Sequence, residues 1–176
     1  MLTKYTELLK QICSIENDFE KITFLTPLAR SILQLAAISS VEIFDKFMIS
    51  DEIGIEGFLA RFDSPSDGLP REILEVLVPL IRSDYDSEYF NGWFEATSGK
   101  FSLAHQVLEW VEFRNGRPAH GVVGSIQAKD WAEKQINLIK LMLNVFKKIL
   151  PSEENTLPHY SNLTLSLPFN KGPMVI

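Results

Sequence analysis

Arg114, Arg117 and His120 fall within WVEFRNGRPAHG, residues 110–121, and bring two guanidiniums and an imidazole into one short stretch. Those groups suit phosphate chemistry. A guanidinium holds two phosphate oxygens in a planar fork and stabilises charge added in a phosphoryl transition state. An imidazole moves a proton near neutral pH. On RNA, a histidine base takes the 2′-hydroxyl proton so that the oxygen attacks the adjacent phosphate, a reaction that needs no metal.

Position decides whether the three can act together. The periodicity predicts a helix over 101–114. At about 100° per residue, with Leu103 as the origin, Val107 lies near 40°, Trp110 near 340°, Val111 near 80° and Arg114 near 20°. His105, Gln106, Glu109 and Glu112 lie on the other side. The arginine thus leaves the helix from its apolar stripe, which is costly unless the charge is paired or lines a cleft. Asn115-Gly116 ends the helix with residues that tolerate positive φ, and Arg117-Pro118 forces an extended turn. Such a turn draws Arg114, Arg117 and His120 together. Plainer roles stand beside this one: Arg114 as a cation on C-terminal carbonyls, His120 as a turn histidine bonded to backbone, and Arg117 as a solvated loop residue.

The elements that must carry this turn are helical. Residues 3–13 place Tyr5, Leu8, Leu9 and Ile12 at spacings of three and four. Asn17 and Glu20 form a capping pair for a second segment. Thr26-Pro27 reads as a helix start, and TPLARSILQLAAISSVEIFDKFM continues to about 48 as the apolar spine of a bundle. A segment loosened by Gly54 and Gly57 ends near Phe62. SPSDGLP (64–70) is a loop, Pro70 opens a helix, and Pro79 is a kink or a stop. Residues 83–100 form a long loop. Its aromatics Tyr85, Tyr89, Phe90, Trp93 and Phe94, among four acidic residues, suit packing over the bundle or a partner interface better than base stacking. A last helix over 128–150 carries Trp131, Leu138, Met142, Val145 and Ile149 on one line. The expected architecture is all-α: a bundle of five or six helices over residues 1–150, with an extended tail or linker over 151–176. The tail's Pro158, Pro168 and Pro173 separate short β-prone pieces, and the ending GPMVI suggests the N-terminal domain of a larger protein.

Composition narrows the classes. The chain has 176 residues, 45% hydrophobic and 23% charged, so it is long enough for one domain and too apolar for wholesale disorder. One cysteine, Cys13, excludes an internal disulfide; beside Ile12 it is expected in the core. Three scattered histidines, His105, His120 and His159, have no metal-ligand spacing, and neither metal nor cofactor is expected. No uninterrupted run reaches the roughly 18 apolar residues of a membrane span, and the start has no signal-peptide core; the expected location is the cytoplasm, away from membranes. Asn162-Leu163-Thr164 matches a glycosylation sequon that has no meaning there. The net charge of −6 is uneven: residues 1–98 sum to −9 and residues 99–150 to +4. A broad nucleic-acid surface is disfavoured, but one small basic site in 99–150 is not.

Arg114-Asn115-x4-His120 resembles the R-x4-6-H signature of HEPN domains, including the polar residue that follows the arginine. The resemblance implies a helical bundle that dimerises and joins two motifs in one cleft. It implies a metal-independent endoribonuclease of a toxin–antitoxin or antiviral defence system, with RNA as substrate and an antitoxin or a downstream domain as partner. Carried over, Arg114 orients the scissile phosphate, His120 is the general base or acid, and Asn115 holds the pair in geometry. Arg117 lies outside the signature, and its phosphate contact is an expectation from charge alone. The alternative within the same resemblance is a non-catalytic dimerisation or interaction module of a multidomain protein.

Overall fold

The computed structural model describes residues 2–47, 61, 66, 68–96, 101–116 and 125–150, with backbone alone at 45–47, 116 and 125. Among these residues the fold is all-α, with five helices and no strand. They are α1 (Leu2–Cys13), α2 (Asp18–Phe47), α3 (Leu69–Asp84), α4 (Leu103–Gly116) and α5 (Ser125–Val145). Residues 151–176, the expected tail, and the Gly54–Gly57 segment lie outside the described residues.

The spine is α2, which packs most extensively on α5 and α3 and also touches α1. Its inward residues are small or branched: Leu25, Ala29, Ile32, Leu33, Ala36 and Ala37 are buried. The alanines let neighbouring helices approach closely. Two buried serines share this interior with their hydroxyls bonded, Ser39 Oγ donating to the Leu35 carbonyl and Ser40 Oγ to the Ala36 carbonyl, each at 2.8 Å. Tyr5 ties α1 to the spine through a 2.8 Å hydrogen bond between its hydroxyl and Ser31 Oγ. By length and composition Asp18–Phe44 is apolar enough to cross a membrane, and 44% of its most apolar window is buried inside the protein. The central helix of a bundle meets the same criteria.

The start of α2 corrects one expectation. Asn17 is the N-cap, its Oδ1 accepting from the amides of Phe19 (2.9 Å) and Glu20 (3.2 Å). From Asp18 the helix runs without a break through Thr26-Pro27, so those residues do not begin it. Pro27 is exposed and Thr26 turns toward α5, and burial on both sides of the proline outweighs its missing amide. Pro79 likewise lies exposed inside α3, which continues to Asp84. Cys13 corrects another: one position beyond buried Ile12 it has rotated to the surface.

α3 opens with Pro70 in its first turn and no cap from Gly68; Ser66 Oγ accepts the Leu69 amide instead, at 3.2 Å. The following chain, expected as a loop over the bundle, takes that role as a series of turns through Phe94. Phe90 and Trp93 are almost wholly buried and meet Phe146 with ring centroids 6.0 and 5.9 Å away. Two positive φ angles make the turns tight enough, Phe90 at 55° and Gly92 at 97°. Arg82 pins the outside: its Nε donates to the Ser87 carbonyl at 3.1 Å and its Nη1 to Glu95 Oε1.

Candidate functional site

α4 has apolar residues around more than one side. Leu103, Val107, Trp110 and Val111 form the buried stripe anticipated from the sequence, while His105, Glu109 and Glu112 are exposed. The Leu103 amide reaches the Gly92 carbonyl at 3.4 Å, which fixes the start of α4 beside the aromatic turns. At its other end Phe113 stacks on Trp131 of α5, centroids 3.6 Å apart. Trp93, next to the start of α4, meets Phe146, just past the end of α5. These two contacts make α4 and α5 antiparallel.

Arg114 leaves the last turn of α4 from the buried stripe and is half-buried, where its angular position put it. Burial lowers its pKa, and the charge of Arg30 on α2 pushes in the same direction. Arg30 is also half-buried and lowered by desolvation. The Nη1 of Arg114 and the Nε of Arg30 have essentially no solvent exposure. Both arginines have further interactions within the chain.

Two contacts tie α5 to the helices that carry these arginines. Thr26 Oγ1 donates to Gln135 Oε1 at 3.3 Å, linking α2 to α5. One turn later on α2 is Arg30; one turn earlier on α5 is Trp131, stacked on the residue preceding Arg114. Helix geometry puts residues four apart on one face, so Arg30 shares the face of α2 that Thr26 turns to α5, and Trp131 shares the face of α5 that carries Gln135. Gln135 is 1% exposed, and its Nε2 has no hydrogen-bond acceptor among the described residues. Next to Gln135, α4 and α5 enclose an open groove of about 1190 Å³ lined by Trp110, Phe113, Trp131 and Gln135, with Lys134 and Lys140 on the α5 wall.

Of the residues singled out in the sequence, Arg114 is half-buried at the end of α4. Asn115 is still helical and exposed, directed away from the stripe. Arg117 and His120 lie outside the described residues. His105, on the exposed side, stacks on Phe101 at 4.3 Å and has Nε2 3.7 Å from Glu109 Oε1. Among the described residues no group of three or more His, Cys, Asp and Glu side chains is placed to hold a metal ion. The sequence reading missed Arg30, Thr26 and Gln135. Gln135 left a signal, being one polar residue on the angular line of Trp131, Leu138 and Met142. Arg30 left another, as the cation inside the apolar run PLARSILQLAA.

No known protein family, curated protein or solved structure matches this chain. The described residues include two half-buried guanidiniums, Arg30 and Arg114, and a buried amide donor on Gln135.

Proposed function

We propose that the chain is a HEPN-type, metal-independent endoribonuclease that acts as a homodimer. The observation that carries this reading is the placement of Arg114. It leaves the last turn of α4 from a buried stripe, immediately before the segment that contains His120. Surface arginines do not need such a position, whereas one that holds a phosphate beside a proton-transferring histidine does.

In the proposed reaction Arg114 binds the two non-bridging oxygens of the scissile phosphate. His120 takes the 2′-hydroxyl proton, and the 2′-oxygen forms a bond to phosphorus. The bond to the 5′-oxygen breaks and that oxygen takes up a proton, leaving a 2′,3′-cyclic phosphate and a 5′-hydroxyl. The phosphate passes through a state with one extra negative charge, which a fixed guanidinium stabilises more than it stabilises the substrate. Two motifs facing each other across a two-fold axis would supply both proton donor and acceptor.

An RNA cleavage assay in EDTA with wild type, Arg114→Ala and His120→Ala tests the reading. Activity should persist in EDTA and fall by about 100-fold or more in each variant, the scale seen when a transition-state donor is removed. Equal activity in all three proteins, or activity that EDTA abolishes, overturns it.

One observation favours the non-catalytic alternative, in which the domain only dimerises or docks on a partner domain. Asn115 is exposed and so placed away from the geometry-holding role that the resemblance implies. On that alternative neither variant changes any RNA cleavage, and Arg114→Ala lowers stability instead.

A further inference from the structure

We propose that the groove between α4 and α5 is a docking site for an amphipathic helix of another polypeptide, one with an acidic edge and a basic edge flanking its apolar stripe. Arg114 does not line this groove, so the site is independent of the ribonuclease reading. α5 packs more extensively on α2 than on α4, and its α4 side stays partly open. On α5 the lining runs from Trp131 to Asn144, a length of about 20 Å along the helix. Trp110 and Leu138 are buried at its floor, and Phe113, Trp131 and Leu141 are half-buried in its walls. Both walls are helices whose backbone groups are already bonded, so they offer no ladder to an extended chain. The occupant must satisfy its own backbone, and a helix about 10 Å across with one apolar stripe does so.

The walls specify the edges of that helix. Lys134 and Lys140 stand exposed on the α5 wall, Glu109 and Glu112 exposed on the α4 wall. Among the described residues neither lysine is in an ion pair, and the ion-pair partner of Glu109 is His105 on its own helix. The two positive and two negative charges cancel, so the groove does not draw in a polyanion. It selects a helix with carboxylates along one edge and cations along the other. Turning such a helix end for end exchanges its edges, so the opposite walls also fix the direction in which it lies. The ends of the groove agree. Ile126 (79% exposed) and Phe101 (63%) are the two most exposed large apolar side chains among the described residues. Phe101 lines the groove where α4 begins. Ile126 leaves the first turn of α5 on the same face as Asn144, about five full turns away. Because α4 and α5 are antiparallel, the two stand at opposite ends. Single exposed apolar residues are ordinary, but one at either end of an apolar groove lengthens its lining.

The test uses the full chain and three labelled helical peptides of about 18 residues with the same leucine stripe. The first has glutamates along one edge and lysines along the other, the second glutamates along both, the third lysines along both. Fluorescence anisotropy should rank the first about ten-fold tighter than either of the others, with the gap narrowing in high salt. Phe101→Ser combined with Ile126→Ser should weaken it about ten-fold at unchanged melting temperature, since both side chains are exposed in the free protein. Glu109→Lys with Glu112→Lys makes both walls basic, and the doubly acidic peptide should then bind tightest. Equal binding of all three peptides, or binding of none, overturns the proposal. So does an oligoribonucleotide that displaces the first peptide and is weakened by Phe101→Ser with Ile126→Ser, which would assign the groove to RNA. A dimer that the same two substitutions dissolve, and with which the first peptide competes, would assign the groove to a second copy of this chain and likewise overturn the partner helix. None of these readouts depends on cleavage, so failure of the ribonuclease reading leaves them intact.

Discussion

Arg114 and Tyr89 show how differently burial acts on a base and an acid. The arginine is pushed down by desolvation and by Arg30, yet a guanidinium starts so high that it remains charged across the accessible pH range. Tyr89 titrates within reach. Burial, the charge and hydrogen bond of neighbouring Tyr85 and the charge of Asp86 push its phenol up to about 12. The Tyr85 ring meets it edge-on at 5.3 Å, and Lys148 Nζ lies 5.7 Å from its centroid. An unfolded tyrosine ionises near pH ~10, so above that pH the unfolded chain releases a proton that the folded one retains. The stabilisation from Tyr89 is thus complete below about pH 10 and is lost as the pH rises toward 12. Thermal melts across that window should show a falling midpoint, and Tyr89→Phe should flatten the fall. Tyrosinate absorbance should find one phenol ionising late in wild type and absent from the variant. At this scale the sequence revealed the Arg114 placement, because a single angle on one helix fixes it. It hid the effect of Arg30 on Arg114, because that depends on how separate helices pack, which no local spacing records.

Helices and turns set that packing, and two substitutions probe it. Pro27 sits exposed inside α2, where its ring removes one backbone bond and crowds the preceding turn. Pro27→Ala should raise stability by about 1–2 kcal/mol, the gain in helix propensity being partly offset by a more flexible unfolded chain. A higher urea midpoint at unchanged slope is the expected readout. Gly92 works in the opposite sense. Its φ is +97°, and a Cβ there would stand 3.1 Å from Val145 Cγ2 at the end of α5. Gly92→Ala should cost about 1–3 kcal/mol, because strain and close contact coincide; equilibrium unfolding in urea measures the loss. The failure to anticipate a continuous α2 has the same origin as its stability. Thr26-Pro27 carries a local start signal, but Leu25, Leu28 and Ala29 are buried on both sides of it, and tertiary burial outweighs a local preference. The aromatic run after α3 was legible as packing, since Tyr, Phe and Trp so close together in an acidic segment have few other uses.

For the molecule as a whole, the all-α architecture was readable from apolar periodicity. The groove between α4 and α5 was not, because a void belongs to neither helix alone. Charge is similarly collective. The net −6 disfavours an extended polyanion-binding face, yet Arg30, from the acidic part of the chain, lowers the pKa of Arg114, from the basic part. The proposed enzyme further requires two chains to complete its cleft. Sedimentation velocity should show a dimer at the concentrations where RNA is cleaved, with activity falling on dilution below the dimer dissociation constant. A protein that is monomeric and fully active at every concentration would show that one chain suffices.

The order of synthesis gives α2 a final significance. Thr26 bonds to Gln135, a partner 109 residues downstream. The apolar stripe of the spine therefore leaves the ribosome long before the helix that covers it exists. Throughout that interval the nascent chain carries a long apolar helix whose early cover, among the described residues, is α1 and then α3. Such an intermediate invites chaperones and self-association. Slow translation between residues 84 and 125 should extend its lifetime, so the yield of native protein depends on how quickly the ribosome delivers α5.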